Sequence, residues 1–254
     1  MIEISKTANA NQNHLEQHSL LRSIVLHLLP AVIWIIFYIP LARMANKRGI
    51  PTMLIMLIVS AFTLFSFQLG YLYTLGKKRN GKFSLQGIVL YREKMPWRQY
   101  ILFGVAIIAW QMLVLIAGWE INQFLRKIFF TWIPDWYYLE RGTIGQNAPA
   151  VEIAMAVLSV LIFGIIGPIS EELYFRGYLL PRLSKFGKWA PLLNVVLFNF
   201  YHFWQLHLII ISIIALLPMV YIVWWKRNVY LSIIVHCSLN LIGNIIMGVI
   251  QRFG

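Results

Sequence analysis

Apolar runs broken by short polar stretches set the pattern of this chain. They cover residues 24–42, 50–75, 100–119, 151–169, 190–204, 207–225 and 229–250. About 20 apolar residues wound as an α-helix cross the roughly 30 Å hydrocarbon layer of a bilayer. The pattern therefore predicts an all-α, polytopic integral membrane bundle of about 7–8 transmembrane helices. Residues 1–21 read as a polar tail on the cytoplasmic side, and 22–254 as a single transmembrane domain without an internal repeat. The connection 120–150 carries Phe124, Phe129, Phe130, Trp132, Trp136, Tyr137 and Tyr138, broken by Pro134, Gly142, Gly145 and Pro149. Aromatic clusters of this kind favour the membrane interface. An interfacial helix and a loop across the mouth of a cavity are expected there.

Composition agrees with the pattern. The chain is 59% hydrophobic and 12% charged, with a mean hydropathy of +0.69. Soluble domains sit near 45–50% apolar and 25% charged. The single cysteine, Cys237, excludes a disulfide framework and a multi-cysteine metal site. It reads as a small buried residue. No cleavable signal peptide is expected, because residues 1–19 are polar and the first apolar run is long enough to span. His14 and His18 are four residues apart in that polar stretch and read as a solvated pair, while His27 reads as interfacial.

The net charge of +13 does not point to nucleic acid, because the basic residues gather in loops. The stretch 77–98 holds seven of them and reads as a topology signal in contact with lipid headgroups. With the N-terminus in the cytoplasm, that side holds Lys6, Arg22, those seven, Arg182, Lys185, Lys188, Lys226 and Arg227, fourteen in all. The other side holds seven: Arg43, Lys47, Arg48, Arg126, Lys127, Arg141 and Arg252. The excess of Lys and Arg on cytoplasmic loops favours this orientation and puts the carboxylate pair described next near the cytoplasmic face.

Three polar constellations interrupt the apolar runs. Glu171 and Glu172 end the fourth run, with Arg176 one turn beyond Glu172 on the same helical face. Ser170 is expected to cap a new helix whose first turn holds both carboxylates, where the helix dipole favours negative charge. Phe198 and His202 lie one turn apart in the fifth run, and His236 and Asn240 one turn apart in the seventh. Charged side chains at membrane depth cost roughly 2.5–3.5 kcal/mol each on insertion scales, so they point to function. Taken singly, each histidine reads as an interhelical hydrogen-bonding group, and Glu172 with Arg176 as a structural ion pair. Taken together on three helices, the set suits hydrolysis in two ways. Glu171 acts as general base on water with His202 beside it, while His236 and Asn240 donate to the oxyanion. Alternatively, Glu171, His202 and His236 hold a divalent metal such as zinc that activates water, with Glu172 as base. The spacing alone leaves both open, although a His-Glu-x-x-His motif is absent.

At these residues the chain resembles the CPBP intramembrane proteases, the CAAX protease and Abi family that includes the type II CAAX prenyl endopeptidases. Their pattern is Glu-Glu-x-x-x-Arg, then Phe-x-x-x-His, then His-x-x-x-Asn. Here it reads Glu171-Glu172…Arg176, Phe198…His202 and His236…Asn240, over about residues 150–245. The resemblance implies an all-helical membrane fold with an active-site cavity open toward the cytoplasm. It implies catalytic Glu171, His202, His236 and Asn240, supported by Glu172, Arg176 and Phe198. The family has been read both as metal-dependent and as metal-free, and the roles above need no metal. The expected substrate is a membrane-associated, potentially prenylated, protein or peptide, and the expected location is the bacterial cell membrane. Two other functions compete: a non-enzymatic immunity or scaffold protein that keeps the fold, and a transporter. The polar residues lie in one half of the chain, without the paired broken helices of an inverted repeat, which disfavours the transporter.

Overall fold

The computed structural model describes residues 16–137 and 148–253, with side chains to 246. His14, Lys6, Tyr138, Arg141, Gly142 and Gly145, and the side chain of Arg252, lie outside the described residues. The described part is helices joined by turns and loops, with one isolated antiparallel pairing, of Arg92 with Asn228. Six stretches are long and apolar enough to cross a membrane.

Helix α1, Leu20–Lys47, starts at Ser19, whose hydroxyl accepts from the Arg22 amide at 3.1 Å, the usual N-cap arrangement. Helix α2, Thr52–Asn80, returns beside it and ends in Lys77, Lys78 and Arg79, which complement the negative end of the helix dipole. Between α1 and α2, Trp34 donates to Ser60 Oγ at 3.0 Å and stacks on Tyr38. Helix α3, Trp97–Ala117, exposes most of its surface, as a lipid-facing helix must. Helix α4, Trp119–Phe129, exposes Trp119, Phe124 and Phe129 and buries Asn122, as expected of the interfacial segment. The following turn, Asp135–Tyr137, receives a hydrogen bond from the Tyr38 hydroxyl at the Trp136 carbonyl, 3.3 Å, and Tyr137 donates to the Phe203 carbonyl at 3.2 Å.

A 53-residue helical run, Pro149–Tyr201, holds two of the expected apolar segments in one of the six stretches. It opens with α5, Pro149–Leu161, widens to π winding at Ile162–Ile166, and continues as α6, Gly167–Glu171. Pro168 explains the widening. It has no N–H to donate, and its ring would clash with the Gly164 carbonyl of a regular helix. Gly167 is required beside it: a Cβ there would meet the Phe65 ring and the Ile162 carbonyl at 2.8 Å, so α5–α6 and α2 touch at this point. Winding stays wide over Glu172–Leu179 and tightens over Leu180–Trp189. Gly187, at φ 53°, ψ −129°, breaks the run and starts α7, Ala190–Tyr201. Twelve residues of α-helix rise about 18 Å, too short to cross alone, and α7 stops at His202. A tight segment, Phe203–Leu208, leads into α8, Ile209–Lys226, and α9, Val229–Phe253.

Four expectations change. Ser170 sits inside a continuous helical run, and its hydroxyl has two acceptors in reach, the Gly167 carbonyl and Gln68 Oε1, both at 2.9 Å, so it caps nothing. His27 is buried instead of interfacial: Nδ1–H donates to the Ser23 carbonyl at 2.7 Å and Nε2 accepts from Asn194 at 3.1 Å. Residues 16–19 dock rather than wave in solvent. The His18 amide donates to the Arg182 carbonyl at 2.9 Å, Gln17 accepts from Ser184 at 3.0 Å, and the His18 ring is fully buried against Tyr178. Cys237, expected to be buried, is partly exposed, with its Sγ 3.9 Å from the Ile165 carbonyl.

Candidate active site

The deepest part of the site is built where α6, α7 and α9 converge. Glu171 and Glu172 are both buried, yet their surroundings differ. Glu172 Oε1 accepts from His236 Nδ1 at 2.9 Å, and its Oε2 lies 3.4 Å from Arg176 Nε. Arg176, also fully buried, lays its guanidinium 3.8 Å from the centre of the Phe198 ring. Cation and ring attract there through the ring quadrupole, most strongly when both are desolvated. Glu172, Arg176 and Phe198 thus form one packed unit beneath His236.

Glu171 faces a cavity of about 650 Å³. Its Oε1 accepts from the Tyr201 hydroxyl at 3.1 Å, and its Oε2 stands 4.0 Å from His236 Nε2. That gap is too long for a hydrogen bond and fits a water bridging from the side. His202 and Asn240 line the same cavity. His202 Nδ1–H donates to the Phe198 carbonyl at 2.9 Å, so its tautomer leaves Nε2 as the free ring nitrogen. His236 is held in the same way through Glu172, again with Nε2 toward the cavity. Asn240 Nδ2 donates to the Phe163 carbonyl at 2.8 Å, inside the π-wound turn. The wide turn therefore aims a carbonyl at α9 that orients Asn240, and the second N–H of that amide remains for another acceptor. Glu171, His202, His236 and Asn240, expected from the sequence to act together, share one cavity with Phe198 in its wall.

Sequence reasoning passed over three supporting residues. Tyr201 precedes His202 and reads as one more aromatic, while Gln68 is a lone amide in an apolar run and Ser170 was assigned to a cap. In the fold they make a chain: Ser170 Oγ donates to Gln68 Oε1 at 2.9 Å, Gln68 Nε2 donates to Tyr201 at 3.1 Å, and Tyr201 donates to Glu171. A glutamine inside a membrane helix, at the depth of a carboxylate, was the available signal.

The zinc set tested from the sequence was Glu171, His202 and His236. Among the described residues no three His, Cys, Asp or Glu side chains converge as metal ligands. Structural and catalytic zinc needs such a set at about 2 Å from the ion. The arrangement does not fit a metal, and no step below uses one.

Comparisons with known proteins bear on the same segment. Residues 153–242 match the family model "Type II CAAX prenyl endopeptidase Rce1-like", a stretch that holds Glu171, Glu172, Arg176, Phe198, Tyr201, His202, His236 and Asn240 but not Gln68. The chain is 28% identical over 176 residues to the UPF0177 protein YxdF of Lactococcus lactis subsp. lactis (strain IL1403), covering 60% of this chain and 95% of that one. No solved structure matches.

Proposed function

We propose that this chain, an integral membrane protein with an Rce1-like domain over residues 153–242, is an intramembrane endopeptidase that cleaves a membrane-associated protein or peptide with activated water. The observation that carries the reading is the placement of Glu171, His202, His236 and Asn240 around one cavity, with Glu171 free of any cationic partner closer than His236 at 4.0 Å.

The geometry supports the following reaction. A water between Glu171 Oε2 and the two histidines gives a proton to Glu171 as its oxygen attacks the substrate carbonyl carbon. The carbonyl π electrons move to oxygen. Asn240 donates its second N–H to that oxyanion, and His236, held through Nδ1 by Glu172, turns Nε2 toward it. Glu171 then passes its proton to the departing nitrogen as the C–N bond breaks. An acid and an amine leave. Tyr201 keeps one oxygen of Glu171 engaged, so the other is presented to water.

The bacterial relative supports a bacterial cell membrane as the location. The 14-to-7 division of basic residues supports cytoplasmic basic loops. The reading is tested by proteolysis of membrane peptides, some prenylated, in liposomes. Wild type is expected to cleave with or without chelator and Glu171→Gln is expected not to. A wild-type phenotype that survives Glu171→Gln supports the non-enzymatic immunity or scaffold alternative. Activity lost to chelator and restored by a divalent metal overturns the metal-free step.

A further inference from the structure

Glu171, His202, His236 and Asn240 reach the cavity from α6, the end of α7 and α9, and α3 and α8 supply further wall. Between Ile101 and Ala117, α3 is apolar except for Trp110 and Gln111. Trp110 is accounted for, since its Nε1–H donates to the Ile214 carbonyl of α8 at 3.2 Å. Gln111 is not. It lines the cavity and is 1% exposed, and its Oε1 is shielded from solvent without a hydrogen-bond partner. Its Nε2 reaches the Met219 sulfur at 3.8 Å, and a thioether is a weak acceptor. An amide offers two N–H donors and a carbonyl, so most of this one is unused.

Asn199 and Asn244 show the usual outcome in the same wall. Asn199 Nδ2 donates to the Val195 carbonyl at 2.9 Å, and Asn244 Nδ2 to the Asn240 carbonyl at 2.8 Å. Buried polar groups are paired as a rule, and an exception calls for an explanation. Packing supplies none here, because an apolar side chain of similar size would meet Met219 without leaving a carbonyl unmet. The family match supplies none either, because Gln111 lies outside residues 153–242.

We propose that Gln111 is a substrate-binding residue that pairs with the backbone of one residue of an extended peptide in the cavity. Its Oε1 accepts that residue's N–H, and its Nε2–H donates to the same residue's carbonyl. In a β conformation the two groups point to one side, as they do when strands pair. Rotation about the side-chain torsions of Gln111 turns the amide from Met219 to the peptide. Every residue except proline presents the same backbone donor and acceptor. Gln111 therefore fixes the register of the peptide against Glu171 while tolerating its sequence. The proposal rests on the endopeptidase reading.

Backbone methylation tests it. Wild type, Gln111→Leu and Gln111→Met are compared in liposomes on the panel peptide that wild type cleaves fastest. They are compared again on versions of that peptide carrying one N-methyl group at each backbone nitrogen in turn. Thermal transitions in detergent identify the variants that fold, and two substitutions guard against loss of one. For the unmethylated peptide, KM is expected to rise about tenfold in the variants with kcat kept, as when binding shared by ground and transition states is lost. One methyl position is expected to raise the wild-type KM about tenfold and to leave that of the variants unchanged, because the bond it removes is already missing. An unchanged KM, a fall in kcat alone, or the same methylation profile in variants and wild type overturns the inference. So does failure of both variants to fold, which a purely structural glutamine predicts. In each of these cases wild-type cleavage that is lost in Glu171→Gln keeps the endopeptidase reading. Absence of wild-type cleavage across the whole peptide panel overturns both.

Discussion

Between Glu172 and the basic loops, large side chains fill the interior, and between Glu171 and the opposite end the helices part around a cavity. In the filled half, Tyr174, Phe175, Tyr178 and Leu179 are buried, Ile88 and Val89 of the basic loop fold inward among them, and Tyr91 joins the cluster of Leu180 and Leu183. The Leu90 amide pins that loop to the Gly177 carbonyl at 2.8 Å, and its Tyr91 carbonyl accepts from Val229 at 2.7 Å. In the hollow half, α3 and α4 turn apolar side chains such as Leu113 and Phe124 outward, and polar groups such as Gln111 stand in the wall. Two adjacent carboxylates lie on the border. Glu172 belongs to the filled half, where Arg176 and His236 neutralise it. Glu171 belongs to the hollow half, where one hydroxyl orients it. The difference teaches that neighbouring identical residues acquire separate roles from which half of the bundle receives them.

Substitutions at the border break the comparison most strongly. Glu171→Gln removes the general base, a contribution of roughly 10²–10⁴-fold. Its expected outcome is loss of cleavage with the thermal transition in detergent unchanged. Loss of folding along with activity would mean that Glu171, too, belongs to the packed half.

Arg176→Met acts in the filled half. Removing one partner of a buried pair costs about 3–5 kcal/mol, because the other charge is left behind. A marked fall in thermal stability is expected, along with lost activity, and Glu171→Gln serves as the stable control. Differential scanning fluorimetry reads the difference.

Tyr201→Phe sharpens the border itself. A hydrogen bond to a charged group contributes about 1.5–3 kcal/mol, so kcat is expected to fall roughly 10- to 100-fold. KM is expected to hold, and the limb of the pH–rate profile that reports the base to shift. A stability loss with an unmoved profile would make Tyr201 a packing residue only.

The smallest expected effect lies at the filled end. Burial pushes the His18 ring down to about 4 from its ordinary 6.5. The unfolded chain therefore binds a proton below pH 6.5 that the folded protein refuses until about pH 4. Stability contributed by neutral His18 is present above pH 6.5, declines as pH falls between those values, and is gone below pH 4. Across that window the thermal transition of wild type should fall more steeply with decreasing pH than that of His18→Leu. Equal slopes would show that the docked residues 16–19 do not hold His18 in the folded state.

The spans were legible because a helix in lipid must be apolar along its length, and the motif residues because charge at that depth is rare. The chain Ser170–Gln68–Tyr201 was not legible, because its members come from segments over a hundred residues apart and each alone has an ordinary explanation. The buried state of His27 escaped for the same reason. Its partner, Asn194, sits on α7, and nothing local brings the two together.

By itself the sequence determined that this protein is a helical membrane bundle and which helices carry Glu171, His202, His236 and Asn240, since apolar length and the expense of buried polarity are written residue by residue. Only the tertiary structure decided that these four share a cavity, that His236 as well as Arg176 holds Glu172, and that the hollow lies away from the basic loops. Those outcomes depend on how π winding at Ile162–Ile166 and the break at Gly187 rotate and end the helices, and such rotations come from packing between segments rather than from the order of residues within one.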